Sequence, residues 1–398
     1  MKTSERIDFR NTNRLNVLVN LLSGNILPVT SDGSELSLLS KLYAICTWII
    51  ELIHISACTI GIFRVSKETA LRESTVNMVI AAEVLLNLSH MYYQRNLLKR
   101  LIDSYNELLA TDNDLLRTTV VSYVGPVEKM LKLYAIADIG SVVVWVSTPL
   151  MTIFKKNEFV HEDYILPISF SEEPFSRSVF VVSVVFEIFG AGYTIFKKVG
   201  ADIYTLHLIL LLTSQYKYLR TKLGLILRKE SDRAKEEFDS LLRHHSEVIR
   251  ATIMLKQVLS FNVCVVHLDS VFRFCFLSFM LATNTSINIE GCLVLAYTVG
   301  AIVQLYMICF YIQELFEGTK LTDDAFHEPW YSYESSVRQN FRIMIYANRL
   351  KCRLASFESV DLTLPSFMQL SIIFMTNTRI FYRLKIKLFK DLYSIYGS

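Results

Sequence analysis

Several ionisable side chains sit inside stretches that are otherwise apolar: Glu51 and His54, Glu83, Asp138, Glu187 and Asp202, and the group His267, Asp269 and Arg273. A charge inside hydrocarbon is costly, so such a group pairs between helices, reaches a water boundary or does functional work. Glu51 and His54 are three residues apart and can share one side of a helix; Asp269 and Arg273, four apart, can pair on another. A second set mixes aromatic rings with sulfur: Met78, Trp145, Met151, Phe186, Phe189, Tyr193 and Tyr297, with Thr148 and Thr298 as hydrogen-bond partners. Such side chains on neighbouring helices suit an apolar pocket with a few orienting polar groups, fit for a small volatile molecule. The same residues could equally pack helices or face lipid.

No catalytic constellation accompanies them. HExxH, GxSxG and a P-loop lysine are absent, and GAGYT at 190–194 lies in an apolar stretch, where small residues let helices approach closely. His244 and His245 stand in a charged segment with no third ligand near, and none of the seven cysteines forms a CxxC pair. Neither a metal site, a cofactor nor a disulfide scaffold is expected.

The elements that carry these residues are helices long enough to cross a bilayer. Of the 398 residues 52% are hydrophobic and only 20% charged, and mean hydropathy is +0.34. A soluble domain is usually about a quarter charged, so this chain calls for lipid. A crossing needs about 20 apolar residues, and seven segments qualify: 41–63, 74–93, 133–154, 178–213, 258–283, 291–314 and 362–384. The fourth is too long for one crossing and contains Lys197, Lys198 and Asp202; it reads as one tilted helix running on past the membrane as QYKYLRTKLGLIL. Segments 1–40, 94–132, 214–257 and 315–361 share one side and hold 26 Lys and Arg, against 11 on the other side when Arg379 and Arg383 near the outer end of the last span are counted, five of these at the C-terminal end. That bias puts the N-terminus in the cytoplasm and the C-terminus outside, the reverse of a G-protein-coupled receptor. No removable signal peptide is read in the first 38 residues, which lack an apolar core.

Two charged inner segments are patterned as helices. SDRAKEEFDSLLRHHSEVIR, with Ser231 or Asp232 as N-cap, extends the fifth span inward. EPWYSYESSVRQNFRIMIYANRLKCRL, starting at Glu328-Pro329, leads into the seventh. Asn284-Thr285-Ser286 is a sequon too close to the membrane for use, and Asn87-Leu88-Ser89 lies within a span.

From 309 to 384 the run CFYIQELFEGTKLTDDAFHEPWYSYESSVRQNFRIMIYANRL, followed by LTLPSFMQLSIIF, resembles the C-terminal signature of the insect odorant receptor family. Gly318, Leu321, Ala325, Trp330, Leu364 and Phe367 carry the match. Leu166-Pro167 before the fourth span, Asp202 late in it and the RHH at 243–245 resemble the family more loosely.

The resemblance implies an all-α membrane protein, a single seven-transmembrane domain over 1–398, in the cell membrane of an olfactory sensory neuron. It implies a four-subunit, ligand-gated, non-selective cation channel with an odorant pocket in the outer half of each subunit. The residues chosen above by type as candidates for that pocket are Met78, Trp145, Thr148, Met151, Phe189, Tyr193 and Tyr297. It implies a pore constriction at Ile380 and Leu384, closed by dewetting, and subunit contacts in the cytoplasmic anchor 315–361 around Trp330. It implies a common co-receptor as partner; this chain is shorter than that co-receptor in the loop before the fifth span, which fits the tuning subunit. The sequence departs from the family where Met375-Thr376 replaces Tyr-Ser, where Arg379 and Arg383 flank the constriction, and where KIKLFKDLYSIYGS continues beyond the usual end. A ring of arginines repels cations, which puts a pore made by this chain alone in doubt. A gustatory receptor is the nearest rival, but its Thr-Tyr near a Gln-Phe terminus is absent; a secondary transporter would show an inverted repeat, and none is visible. A G-protein-coupled receptor is disfavoured by the missing Asp-Arg-Tyr and NPxxY and by an outer loop 155–177 without cysteine.

Overall fold

The computed structural model describes residues 7–30, 37–70, 74–111, 113–164, 166, 168, 173–228, 234–283, 289–321, 326–327, 330–349, 355–356, 360–361 and 364–396. The described residues are almost wholly helical. In chain order the helices are α1 (Phe9–Thr12), α2 (Arg14–Ser23), α3 (Leu38–Ile62), α4 (Lys67–Thr69), α5 (Thr75–Tyr93), α6 (Arg95–Leu109), α7 (Asp114–Ile153), α8 (Arg177–Arg228), α9 (Ala234–Thr283), α10 (Ile289–Thr319), α11 (Ser335–Arg349) and α12 (Leu364–Tyr396). By length and composition α3, α8, α9 and α10 can each cross a membrane. The other predicted spans, on α5, the second half of α7 and α12, pack in the same bundle.

The bundle is built around α8. Every residue from Lys197 to Tyr216 is buried, because α2, α3, α5, α6, α7, α9 and α10 all pack on this helix. A helix buried all round belongs to a core. The sequence expectation of one continuous fourth helix holds, and at 52 residues it is about 78 Å long at 1.5 Å per residue. The fifth helix likewise runs unbroken from the inner segment into its span; the capping residues Ser231 and Asp232 lie outside the described residues.

The N-terminal segment is a structured plug. Asp8 and Asn13 cap α1 and α2 by accepting the N–H groups of Asn11 and Asn16 at 2.6 and 3.2 Å, which satisfies donors a helix start leaves open. Phe9 is buried against Tyr105 of α6 and against Tyr204 and His207 of α8. Asn20 clasps the backbone of Leu27 through both ends of its amide, at 2.9 and 3.1 Å, and the Asn25 amide donates to the Lys197 carbonyl at 3.1 Å. Gly24 ends α2 at φ 71, and a Cβ there would lie 2.4 Å from Thr47 Oγ1 of α3. Only glycine tolerates both that backbone region and that approach.

The C-terminal signature acquires physical reasons. Gly318 brings α10 so close to α8 that a Cβ would sit 3.2 Å from Tyr216 Cβ, and Leu321 is fully buried. Trp330, in a 3₁₀ turn, packs against Phe341 of α11 at 5.2 Å, and Phe341 meets Phe238 of α9. Ala325 and Glu328-Pro329 lie outside the described residues. The expectation of one helix leading into the seventh span is corrected: α11 ends at Arg349, and a short antiparallel pair, Ala355 with Asp361 and Ser356 with Val360, intervenes before α12.

α12 packs one face on α9 and α10. Phe367 meets Tyr306, Phe374 meets Phe274 and Phe381 meets Phe279, with ring centroids 5.4 to 5.8 Å apart. These residues recur at helical spacing, so Ile372, Ile373, Thr376, Ile380 and Arg383 fall on the other face and are exposed.

On the inner part of α9, His244 Nε2 hydrogen-bonds Gln215 Oε1 at 3.0 Å and its ring stands edge-on to Tyr218. Burial first, and the neighbouring His245 second, push its pKa down to about 4. The folded protein therefore holds this imidazole neutral where the unfolded chain, titrating near 6.5, would protonate it. Stability is fully kept above about pH 6.5 and is lost as pH falls from there towards 4. Thermal melting of the detergent-purified chain is expected to drop between about pH 7 and about pH 5, and His244→Gln is expected to flatten that drop.

Candidate functional site

A narrow, open-mouthed cleft lies among α3, α5, α7, α8 and α10; its empty space of about 510 Å³ includes the solvent at its mouth, and only about 30 Å³ of it has room for the centre of a water-sized molecule. His54, Ile55 and Cys58 line it from α3, Asn77, Met78 and Ala81 from α5, Val142 from α7, Thr194 and Ile195 from α8, and Tyr297 from α10. Around it Ala57, Cys58, Leu166, Ile168, Met78, Ile188 and Tyr297 form an apolar cluster separate from the main core. The wall is thus mostly hydrocarbon with a few polar atoms, the composition of a small-molecule site.

Local sequence explains how the wall is built. His54 and Cys58 are four apart, so both face inward from α3, and Cys58 Sγ lies 3.5 Å from His54 Nε2. The His54 ring fits only because residue 190 is glycine: a Cβ there would stand 2.2 Å from His54 Cγ. The small residues of GAGYT therefore do let two helices close up, as expected from the sequence. Met78 and Ala81 are three apart on α5 and share its inner side.

The outer loop closes over the cavity. Phe159 and Phe175 pair through their backbones, at 3.3 and 2.8 Å, and Phe159 stacks on Phe180 at 4.1 Å. Glu187 Oε1 accepts the Leu166 N–H at 2.9 Å, so a buried carboxylate of α8 pins the loop that supplies a lining residue.

Beneath the cavity a buried polar network ties five helices. Asp202 Oδ2 accepts from Tyr134 at 2.8 Å, from Gln304 at 3.0 Å and from Lys198 at 3.1 Å. Gln304 also donates to Glu83 at 3.2 Å and accepts from Arg273 at 2.8 Å. Arg273 reaches Glu83 at 2.6 Å and pairs with Asp269, as their spacing predicts. Lys197, one position from Lys198, turns the other way, pairing with Glu51 and lying 4.0 Å from the Trp48 ring centroid.

Of the sequence-predicted pocket residues, the structure brings Met78 and Tyr297 to the cavity. Phe186 stands 6.5 Å from the His54 ring. Phe189 and Met151 are exposed, at 54% and 42%, while Tyr193 leans on Tyr43, and Thr298 bonds back to Val294 within α10. The side chains of Trp145, Thr148 and Leu384 lie outside the described residues. Ile380 is 48% exposed, on the face of α12 turned away from the bundle, and Trp330 is partly covered by its own chain. His54, Cys58, Asn77 and Thr194 were missed as lining. Only His54 carried a signal, as an ionisable group within a span.

The fold is that of a helical membrane bundle with a cleft among its helices. Solved structures share the architecture: the insect olfactory receptor OR5 from Machilis hrabei in complex with eugenol has a TM-score of 0.77 at 14% identity, covering 94% of this chain and 98% of that one. A second structure of the insect olfactory receptor OR5 from Machilis hrabei also has a TM-score of 0.77 at 14% identity, covering 93% of this chain and 97% of that one. No curated protein sequence matches the chain. The family model described as 7tm Odorant receptor matches residues 70–372, and the chain belongs to that family.

Arg273 is the cation that faces Glu83 and Asp269, so removing it leaves buried carboxylates uncompensated. Arg273→Met is expected to cost about 3–5 kcal/mol, read as a large loss of monodisperse protein in detergent. Adding Glu83→Gln and Asp269→Asn to it should recover most of that loss.

Proposed function

We propose that this odorant receptor is the tuning subunit of an odorant-gated cation channel and works with the common co-receptor in a tetramer. Its odorant sits in the cavity bounded by Met78, Val142 and Tyr297. The observation that carries the reading is this narrow, mostly apolar cleft in a chain of the odorant receptor family. The similar receptor that binds eugenol supports a small volatile ligand here too. In this reading seven helices, α3, α5, α7, α8, α9, α10 and α12, cross the membrane of an olfactory sensory neuron, with the N-terminus cytoplasmic and the C-terminus outside.

Gating follows from shared helices. Tyr297 of the cavity and Gln304 of the network are two turns apart on α10, and Thr194 is one turn from Lys198 on α8. Arg273 is followed by Phe274, which packs on Phe374 of α12. A ligand that prefers one arrangement of α8 and α10 biases the network, and through α9 the pore helix, by no more than its differential affinity for the two states. Widening the ring at Ile380 and Leu384 then admits water and cations. Arg379 and Arg383 beside that ring disfavour a pore of four copies of this chain and favour one diluted by partner subunits. Trp330 and α11 would sit at the subunit contact.

Expressed with the co-receptor, the chain is expected to give odorant-evoked currents that follow the sodium and potassium gradients. Tyr297→Ala and Met78→Ala should raise the half-activating concentration about tenfold or more, since each removes a large apolar contact worth about 1.5–3 kcal/mol when fully made. Substrate flux without current would instead indicate a transporter. Epitope tags should be reached by antibody from outside intact cells at the C-terminus and not at the N-terminus.

A further inference from the structure

Two polar atoms in the cavity wall are buried with nothing to bond among the described residues. His54 is 5% exposed and Ser74, at the start of α5, is 1% exposed; both line the cavity. His54 Nδ1 and Ser74 Oγ have no hydrogen-bond partner among the described residues. Burying a polar group without a partner costs roughly 1–3 kcal/mol, so the wall stores a demand that a ligand can meet. Cys58 fixes the terms. Its sulfur touches only the other ring nitrogen, Nε2, which leaves Nδ1 for the cavity.

We infer that the cavity selects small, mainly apolar molecules bearing one hydroxyl, an alcohol or a phenol, with that hydroxyl bound at His54 Nδ1 and Ser74 Oγ. This deepens the proposed odorant reading and rests on it. The chemistry favours a hydroxyl for a specific reason. If the Cys58 thiol donates to Nε2, then Nδ1 carries the proton and needs an acceptor; if Nε2–H donates to sulfur, then Nδ1 is a lone pair and needs a donor. A hydroxyl serves in both cases and can exchange a second hydrogen bond with Ser74. An ether or ketone only accepts, and a hydrocarbon leaves both wall atoms unpaired. A site built to bond a hydroxyl rejects the analogue without it more strongly than a hydrophobic wall rejects a missing methylene.

The test uses matched triads of equal size on the full chain with the co-receptor: 1-hexanol, methyl pentyl ether and heptane, and 2-phenylethanol, benzyl methyl ether and propylbenzene. Evoked current is recorded, together with thermal stabilisation of the purified chain. In every triad that acts, the alcohol should be about tenfold more potent than the hydrocarbon, the gain of about 1.4 kcal/mol that one buried hydrogen bond gives. His54→Leu should bring the alcohol-to-hydrocarbon potency ratio within each triad from about ten to about one, whatever the new apolar lining does to the hydrocarbon itself. Should His54→Leu fail to reach the membrane, Ser74→Ala decides, with an expected loss of about threefold for the alcohol alone. Equal potency across a triad, an unchanged alcohol preference in the variant, or no response to any member overturns the inference. Stabilisation by alcohols without any current would sink the channel reading and leave the hydroxyl site standing. Currents without alcohol preference would do the reverse.

Discussion

The bundle depends on a buried ionic lattice. Lys198, Asp202, Gln304, Glu83 and Arg273 join α5, α8, α9 and α10, and Tyr134 adds α7. Among helices in lipid there is no hydrophobic drive to associate, because acyl chains are as apolar as leucine. Charges that would each be costly alone then become the reason for helices to stay together in one register. Each is satisfied only when its partners on other helices are in place, so the lattice specifies the arrangement more than it stabilises it.

The same logic governs the cavity. Above the lattice the walls are apolar, and the polar atoms are few and placed. Gly190 removes a side chain so that His54 can reach inward, and Glu187 spends one oxygen on holding the loop over Leu166. The cleft thus opens above the lattice, with Leu166 of the loop contributing to its wall.

Much of this was legible in the residues. Helix positions followed from apolar runs, the Asp269–Arg273 pair from a spacing of four, and the close approach at Gly190 from small residues in an apolar run. What sequence did not reveal has a common cause. In a membrane helix the core-facing and lipid-facing sides are both apolar, so periodicity no longer tells them apart. Met78 and Tyr297 were found by residue type, while Phe189 and Met151, equally suitable by type, stand exposed. Partners between helices are invisible for a related reason: Glu51 sits beside His54 in sequence yet bonds Lys197, 146 residues away. The plug at Phe9 escaped notice because its burial comes from α6 and α8, distant in the chain, and the short strand pair before α12 escaped because the residues preceding it continue a helical pattern.

Helix α8 lines the cavity with Thr194 and Ile195, about a third of the way along its length and just before its buried middle, and near its far end Ile226 accepts a hydrogen bond from Tyr333. A rod some 78 Å long that is gripped along its middle behaves as a lever. Swinging it by about 3° about that grip carries each tip about 2 Å, enough to trade one packing arrangement for another when interfaces are bistable. The cavity wall and the Tyr333 contact are thereby carried by one rigid element, the first close to its fulcrum and the second out on its arm.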